Sequence, residues 1–308
     1  MCGIVGLFLK NDALQANLGR LIVPMLATMS DRGPDSAGIA VYAPPKPGSL
    51  RLTLHGQADP LDAVALREAM ARALGASVAV EARSTHAVVT LPEGSLEAAR
   101  AWLARERPDL ALVGYGRRMM LFKEVGLPQQ VADRFGLAGM SGTHAIGHTR
   151  MATESAVTTD GAHPFSTGAD QCLVHNGSLS NHNALRRELR RQGLQFHTEN
   201  DTEVAAGYLT WRMSQGLNLG QALRAALSDL DGFYTFVVGT ETGFGVLRDP
   251  IACKPAVMAE TDDYVAFGSE YRVLVSLPGI EKARVWEPEP ATVYFWEREG
   301  DRVQERAA

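Results

Sequence analysis

Residues 1–9 read MCGIVGLFL, and this stretch decides how the beginning of the chain folds. The side chains from Ile4 to Phe8 are apolar apart from one glycine. A short apolar run of this kind is typical of a strand that is buried on both faces. We therefore predict a buried strand here, and we expect Cys2 to lie at the end of a rigid element instead of on a frayed terminus.

Cys2 is a candidate nucleophile. Because the residue after Met1 is small, Met1 is a candidate for removal by a cellular aminopeptidase. The mature chain would then begin with a residue that carries both a thiol and an α-amino group, and the amine could take the thiol proton. The alternative is that Cys2 is a small buried apolar side chain, as most free cysteines are.

Composition narrows the class of protein. The chain has 308 residues, 45% of them hydrophobic, and a net charge of −5 without blocks of like charge, so neither nucleic acid nor an anionic membrane is expected as a partner. The apolar stretches end well before the ~18 residues that a membrane span needs. Residues 10–12 (KND) interrupt the apolar start, which argues against a secretory signal. Cys2, Cys172 and Cys253 form no C-x-x-C pair, so we expect a cytoplasmic protein without a disulfide framework or a zinc site.

Residues 44–140 are predicted to form an insertion. The stretch APPKPG at 43–48 breaks the pattern, and a strand–helix–strand–helix–strand order follows it. This is the order of a small α/β unit inside a single domain that covers residues 1–308. We interpret the insertion as a docking surface for a partner or as a lid.

The stretch THAIGHTR at 143–150 places an arginine at the end of a predicted strand. His144 and His148 are four residues apart, which on a helix would make a metal-binding face. Glycines interrupt the run and its residues alternate, so we predict a strand and no metal site. Arg150 is either an ordinary surface charge or a two-pronged ligand for a carboxylate.

Three further stretches have both a plain and a functional interpretation. Asn176 and Gly177 follow a buried strand and are predicted to form a turn, either a simple one or an oxyanion hole. Asp201 lies at a helix start, where it would cap the helix or hold a substrate ammonium group. Residues 32–35 (RGPD) are either a solvated turn or a loop that closes over a site.

The motifs MCGIVGLF, RGPDSAGIA, GHTRMAT, HNGSLSN, ENDTE, RDPIACKP and FGSE occur in this order along the chain. The ordered set resembles the class II glutamine amidotransferase domains, which are of the N-terminal-nucleophile (Ntn) type. The resemblance covers residues 1–42 and about 140–296. It implies an α+β fold, namely a four-layer α/β/β/α sandwich of two antiparallel sheets, with the α/β insertion added.

The resemblance also implies catalytic roles. Cys2 would attack the side-chain amide of glutamine and form a thioester, with its own α-amino group as the base. Asn176 and Gly177 match the oxyanion pair of the family. Met151 and Glu154 differ from the tryptophan and histidine of the sugar-aminating relatives, so neither residue is assigned a role.

The same resemblance implies how L-glutamine would be bound. Its α-carboxylate matches Arg150, its α-amino group matches Asp201, and Thr153 matches a position that contributes to the glutamine pocket. Arg32 lies in the motif whose loop orders when glutamine binds.

Almost no chain follows the amidotransferase motifs, so we expect a free-standing subunit that delivers ammonia to a separate synthase subunit. Among members of the family it looks most similar to the subunits of glutamate-synthase-like complexes, including N-methylglutamate synthase. FMN and iron–sulfur clusters are then expected on partner chains, and no cofactor on this one. The alternative is a stand-alone Ntn amidase that acts on a γ-glutamyl amide of another metabolite. A third reading, a non-enzymatic glutamine sensor, fits poorly with an intact set of catalytic residues.

Overall fold

The computed structural model describes residues 2–152, 156–299 and 302–305. Within these ranges the strands form three sheets, and every strand pairing is antiparallel. In spatial order, the first sheet contains β15 (Arg284–Trp286), β13 (Val257–Glu260), β14 (Tyr264–Gly268), β1 (Gly3–Leu9), β8 (His144–Arg150), β2 (Ser36–Tyr42) and β7 (Met119–Val125).

The second sheet packs against the first. In spatial order, it contains β17 (Arg302–Glu305), β16 (Thr292–Glu299), β12 (Gly243–Arg248), β11 (Gly232–Gly239), β10 (Gln171–Leu179) and β9 (Phe165–Gly168). Buried side chains from both sheets form one cluster, in which Ile4 and Phe8 of β1 meet Val174 of β10 and Val237 of β11. The two sheets therefore share an apolar interior.

The outer faces of both sheets are covered by helices. α1 (Leu18–Thr28) and α4 (Pro128–Phe135) share a buried cluster with the first sheet. α5 (His182–Arg191), α6 (Asp201–Ser214) and α7 (Leu219–Asp229) share another with the second sheet. The layers are therefore helix, sheet, sheet and helix, and the predicted four-layer sandwich is confirmed.

The first strand shows why its sequence is apolar on both sides. Successive side chains of a strand point to opposite faces. Accordingly, Ile4 and Phe8 face the second sheet, whereas Val5 and Leu7 face the helices, and all four are fully buried. The predicted buried strand is confirmed as β1.

A third sheet lies within residues 44–140. In chain order, the unit contains β3 (Ser49–His55), α2 (Ala63–Leu74), β4 (Ala79–Arg83), β5 (His86–Pro92), α3 (Leu96–Glu106) and β6 (Ala111–Gly116). Its strands lie in the spatial order β4, β5, β3, β6, and it has its own buried cluster that includes Leu66 and Trp102. We call this unit, residues 49–116, the inserted sheet. From its end the chain returns directly to the sandwich, because β7 pairs with β2.

The turn between β6 and β7 is fastened to the second sheet by Asp170. The carboxylate of this buried residue accepts hydrogen bonds from the backbone N–H groups of Arg117, Arg118 and Met119, at 2.7 to 2.9 Å.

None of the helices in the described ranges is both long and apolar enough to cross a bilayer.

Candidate functional site

Cys2 immediately precedes β1, which is the central strand of the first sheet. The pairing of Gly3 with Thr149 brings Cys2 next to the end of β8, where Arg150 lies. The thiol is partly exposed, and its Sγ atom donates to the carbonyl oxygen of Met151 at 4.0 Å. The strand pairing thus places the candidate nucleophile beside the candidate carboxylate ligand.

The backbone carbonyl of Cys2 is a meeting point for other parts of the chain. It accepts a hydrogen bond from Nε of Arg32 at 3.1 Å and another from Nδ2 of Asn176 at 3.3 Å. Arg32 belongs to the loop after α1, whereas Asn176 belongs to β10 of the second sheet. Cys2 is therefore connected to both sheets of the sandwich.

Glu270 supports this arrangement, although the sequence analysis did not single it out. Nη1 of Arg32 forms an ion pair with its carboxylate at 2.7 Å. The hydrogen bond from Arg32 is the main reason why the pKa of Glu270 lies below its usual value. The preceding residue, Ser269, accepts a hydrogen bond from the N–H of Ile4 at 2.9 Å. Glu270 is the last residue of the FGSE motif. The motif marks this part of the chain, but nothing in it indicates that Glu270 binds Arg32.

The loop before β2 encloses the backbone of Arg150. The N–H of Asp35 donates to the carbonyl of Arg150 at 3.1 Å, and the Asp35 carboxylate accepts from the N–H of Ala152 at 2.7 Å. At Gly33 a Cβ atom would lie only 2.4 Å from the carbonyl carbon of Thr149, so no side chain fits there. These contacts explain the RGPD motif. The glycine permits the close approach to the backbone of β8, and the aspartate forms hydrogen bonds with the backbone of Arg150 and Ala152. Arg150 itself is buried.

Asn176 and Gly177 lie inside β10, so the predicted turn at these residues is wrong. The strand continues to Leu179, and Gly177 pairs with Tyr234 of β11. Gly177 has a φ of 145°, and a Cβ atom there would lie 2.0 Å from the carbonyl oxygen of Phe233. An Asn-Gly pair usually indicates a turn because both residues tolerate positive φ. Here the glycine is used for close approach to the neighbouring strand.

Asp201 is the first residue of α6 and is joined to the end of β10. Its carboxylate accepts a hydrogen bond from the N–H of Leu179 at 2.9 Å and lies 3.7 Å from Nδ1 of His175. The next residue, Thr202, is buried, and its hydroxyl bonds with His163 Nε2 at 2.7 Å and with His175 Nδ1 at 3.0 Å. Asp201 is thus bound to the Leu179 N–H of β10 and lies beside a polar cluster that consists of Thr202, His163 and His175.

The carboxylate of Asp201 makes stability depend on pH in the acid range. Burial opposes its ionisation, but His175 and the Leu179 N–H favour the charged form, and the net pKa is about 2. Because an unfolded aspartate titrates near ~3.9, the folded state binds fewer protons than the unfolded state. The charged carboxylate therefore stabilises the fold above about pH 4, and this contribution is lost as the pH falls to about 2.

We expect Asp201→Asn to lower the urea midpoint of unfolding at pH 6. The difference from the unmodified chain should shrink as the pH approaches 2, because the native carboxylate then becomes protonated. Asp262→Asn, at an exposed position, is the control and should leave the midpoint unchanged at both pH values. An equal loss at pH 6 and near pH 2 in Asp201→Asn would contradict this account.

The remaining candidates are placed as follows. Thr153 lies outside the described residues. Cys172 is buried in β10, and burial raises the pKa of its thiol, which makes it unreactive.

The predicted strand at THAIGHTR is confirmed as β8. His144 and His148 each bond with a backbone carbonyl, of Thr240 at 3.0 Å and of His175 at 3.1 Å.

Comparison with known proteins identifies the family. A family model described as "Glutamine amidotransferase domain" matches residues 148–276. The "Glutamine amidotransferase-like protein GlxB" of Rhizobium meliloti is 62% identical over 97% of this chain and 99% of its own length. The glutamine–fructose-6-phosphate aminotransferase (isomerizing) of Vibrio vulnificus is 33% identical over 42% of this chain and 21% of its own.

A solved structure supports the same fold. The glutamine phosphoribosylpyrophosphate amidotransferase of B. subtilis superposes with a TM-score of 0.62 at 20% identity. The superposition covers 99% of this chain, which spans 49% of that one. With the sandwich and the long, close match to GlxB, the chain belongs to the glutamine amidotransferase family of enzymes and has an Ntn-type fold.

Proposed function

We propose that this chain hydrolyses the side-chain amide of L-glutamine, with Cys2 as the nucleophile. The observation that carries the proposal is that the backbone carbonyl of Cys2 is bound by two different parts of the chain. It is held by Arg32 from one loop and by Asn176 from the opposite sheet, next to the end of β8. A fixed backbone at Cys2 restricts the positions that its thiol can take, and attack on one carbon of a bound substrate requires such positioning.

The proposed reaction has two halves. In the mature chain, with Met1 removed, the α-amino group of Cys2 takes the thiol proton and the thiolate attacks the amide carbon of glutamine. A carbon–sulfur bond forms, and the carbonyl oxygen becomes an oxyanion that Asn176 and Gly177 stabilise. The amine then returns its proton to the leaving nitrogen, so the carbon–nitrogen bond breaks and ammonia departs. Water hydrolyses the remaining thioester to glutamate and restores the thiol.

The proposed substrate ligands are at the ends of neighbouring elements. Arg150, at the end of β8, would bind the α-carboxylate, since a guanidinium group pairs with a carboxylate through two parallel hydrogen bonds. Asp201, at the start of α6, would bind the α-ammonium group, and its low pKa keeps it charged over the whole neutral range. Arg32 would order its loop around the bound substrate, and Thr153 would contribute to the pocket.

We further infer that the ammonia is consumed by a separate synthase subunit of a glutamate-synthase-like complex, of which N-methylglutamate synthase is an example. The support is the resemblance of the ordered motifs to those of the amidotransferase subunits of such complexes. In such a complex FMN and iron–sulfur clusters would be on the partner chains. The second candidate, cleavage of a γ-glutamyl amide in another metabolite, would use the same ligands for the glutamyl end.

The two candidates differ in the partner and in the amide that is cleaved. The experiment is to isolate the protein from its native source under mild conditions and to assay the complex and the separated chain with glutamine. Co-purification of a flavin-containing synthase and faster glutamine hydrolysis in its presence would support ammonia delivery. Full turnover of another γ-glutamyl amide by the separated chain, with poor turnover of glutamine, would contradict it.

A further inference from the structure

The segment from Ala156 to Ala162 lies against the side chain of Arg150. Nη1 of Arg150 donates to the carbonyl oxygen of Ala156 at 3.4 Å. At Gly161, a Cβ atom would lie 3.4 Å from the same Nη1 atom. The guanidinium group therefore bonds to one end of this segment and lies close to the other, so a shift of the segment changes the space available to the group.

This segment is held by two successive residues of β7. Nζ of Lys123 donates to the carbonyl oxygens of Asp160 and Ala162, at 3.0 Å each. The carboxylate of Glu124 accepts a hydrogen bond from the hydroxyl of Thr159 through its Oε1 atom. Both residues of β7 are buried, so these bonds are protected from competition with water.

The other oxygen of Glu124 faces the inserted sheet. Oε2 accepts a hydrogen bond from the hydroxyl of Thr85 at 2.8 Å and lies 3.9 Å from Nη1 of Arg134. Burial alone would raise the pKa of Glu124. The hydrogen bonds from Thr159, Thr85 and the Val125 N–H, together with the charge of Arg134, outweigh burial, and the net pKa lies below its usual value. One ionised carboxylate thus joins the inserted sheet to the segment beside Arg150.

A second contact runs directly between the same two parts. Nδ1 of His55, the last residue of β3, lies 3.5 Å from a carboxylate oxygen of Asp160. The carboxylate is mostly exposed, so this pair contributes little to stability. It nevertheless agrees with the Glu124 contact in placing the inserted sheet against the 156–162 segment.

We propose that Glu124 is a positioning residue, through which the inserted sheet sets the Arg150 guanidinium for the carboxylate of glutamine. The inference rests on the proposed function, because it assigns the substrate carboxylate to Arg150. It gives the inserted sheet a specific task in substrate binding. Thr85 is not bonded to the segment in the described contacts, and its most direct route to the segment is the hydrogen bond to Glu124. A longer route runs from Thr85 through His86 to His55, which lies beside Asp160.

The test uses three variants with the same change in shape. Thr85→Val removes the bond on the side of the inserted sheet, and Thr159→Val removes the bond on the side of the segment. Thr90→Val is the matched control, since Thr90 lies in β5 of the same sheet and pairs with Arg51 and Ala79. Circular dichroism and urea unfolding establish that each variant is folded.

Kinetics are measured with L-glutamine and with 4-aminobutanamide, which is glutamine without its α-carboxylate. Loss of one hydrogen bond in the chain of contacts should raise KM for glutamine about three- to tenfold in Thr85→Val and Thr159→Val, with little change in kcat. The kinetics with 4-aminobutanamide should stay unchanged, as should both substrates with Thr90→Val. An unchanged KM for glutamine, or an equal loss with both substrates, would overturn the inference.

Hydrogen exchange of the amides at 156–162, without substrate, provides a readout that does not depend on catalysis. Exchange should accelerate in Thr85→Val and Thr159→Val but not in Thr90→Val. If Thr85→Val leaves exchange unchanged, the proposed role of Glu124 fails. If the unmodified protein in its native complex hydrolyses no glutamine, the proposed function itself fails, so the two failures can be told apart.

Discussion

Replacing Cys2 by alanine is expected to reduce glutamine hydrolysis by about 10⁴-fold or more, because removal of a nucleophile leaves only binding and oxyanion stabilisation. The fold should survive, since Cys2 is only partly buried and its backbone carbonyl, which binds Arg32 and Asn176, is retained. Ammonia release measures the activity, and urea unfolding measures the stability.

The matched control for this variant is Cys253→Ala. Cys253 has a free and exposed thiol, so its removal tests whether any accessible cysteine accounts for the activity. We expect unchanged turnover and the same urea midpoint. Turnover above about one per cent in Cys2→Ala, far more than loss of a nucleophile allows, would contradict the assignment of the nucleophile.

The second large effect is expected for Asn176→Ala, which should lower kcat about 10²- to 10³-fold, the usual result of removing one oxyanion donor. The structure adds a second reason for a loss of activity, since the Asn176 amide also donates to the Cys2 carbonyl and holds the nucleophile in place. KM for glutamine should change little, because this donor acts mainly on charge that develops in the transition state. Steady-state kinetics separate kcat from KM.

Asn183→Ala provides the control for that variant, since Asn183 is exposed on α5. Its kinetic constants should equal those of the unmodified chain. A kcat of Asn176→Ala within about threefold of the unmodified value would exclude an oxyanion role, given the size of the effect that such donors have.

The inserted sheet illustrates how a region without catalytic motifs can serve a site. It has a buried apolar core of its own, which includes Leu66 and Trp102. Its proposed link to the site consists of two hydroxyl groups, on Thr85 and Thr159, that donate to the Glu124 carboxylate, and of the weaker contact between His55 and Asp160. Threonines of this kind are common on strands and loops, so their sequence context carries no signal of the contact.

Several features of the fold could be predicted from the sequence because they depend on neighbouring residues. The apolar run from Ile4 to Phe8 predicts a strand buried on both faces, and alternation in THAIGHTR predicts β8. The Asn-Gly pair shows the limit of such local signals. A turn was predicted at Asn176 and Gly177, but Gly177 pairs with Tyr234 of β11, which lies 57 residues further along the chain, and both residues are part of a sheet.

The sequence by itself determined the layer-forming elements and the order of the motifs, because hydrophobic periodicity and residue type act over a few neighbouring positions. Only the tertiary structure decided which motifs meet: Asn176 reaches the Cys2 carbonyl across 174 residues, and Arg32 reaches Glu270 across 238. The physical reason is that these contacts depend on strand order and on the packing of two sheets. Both are global properties that the spacing of residues within a motif does not contain.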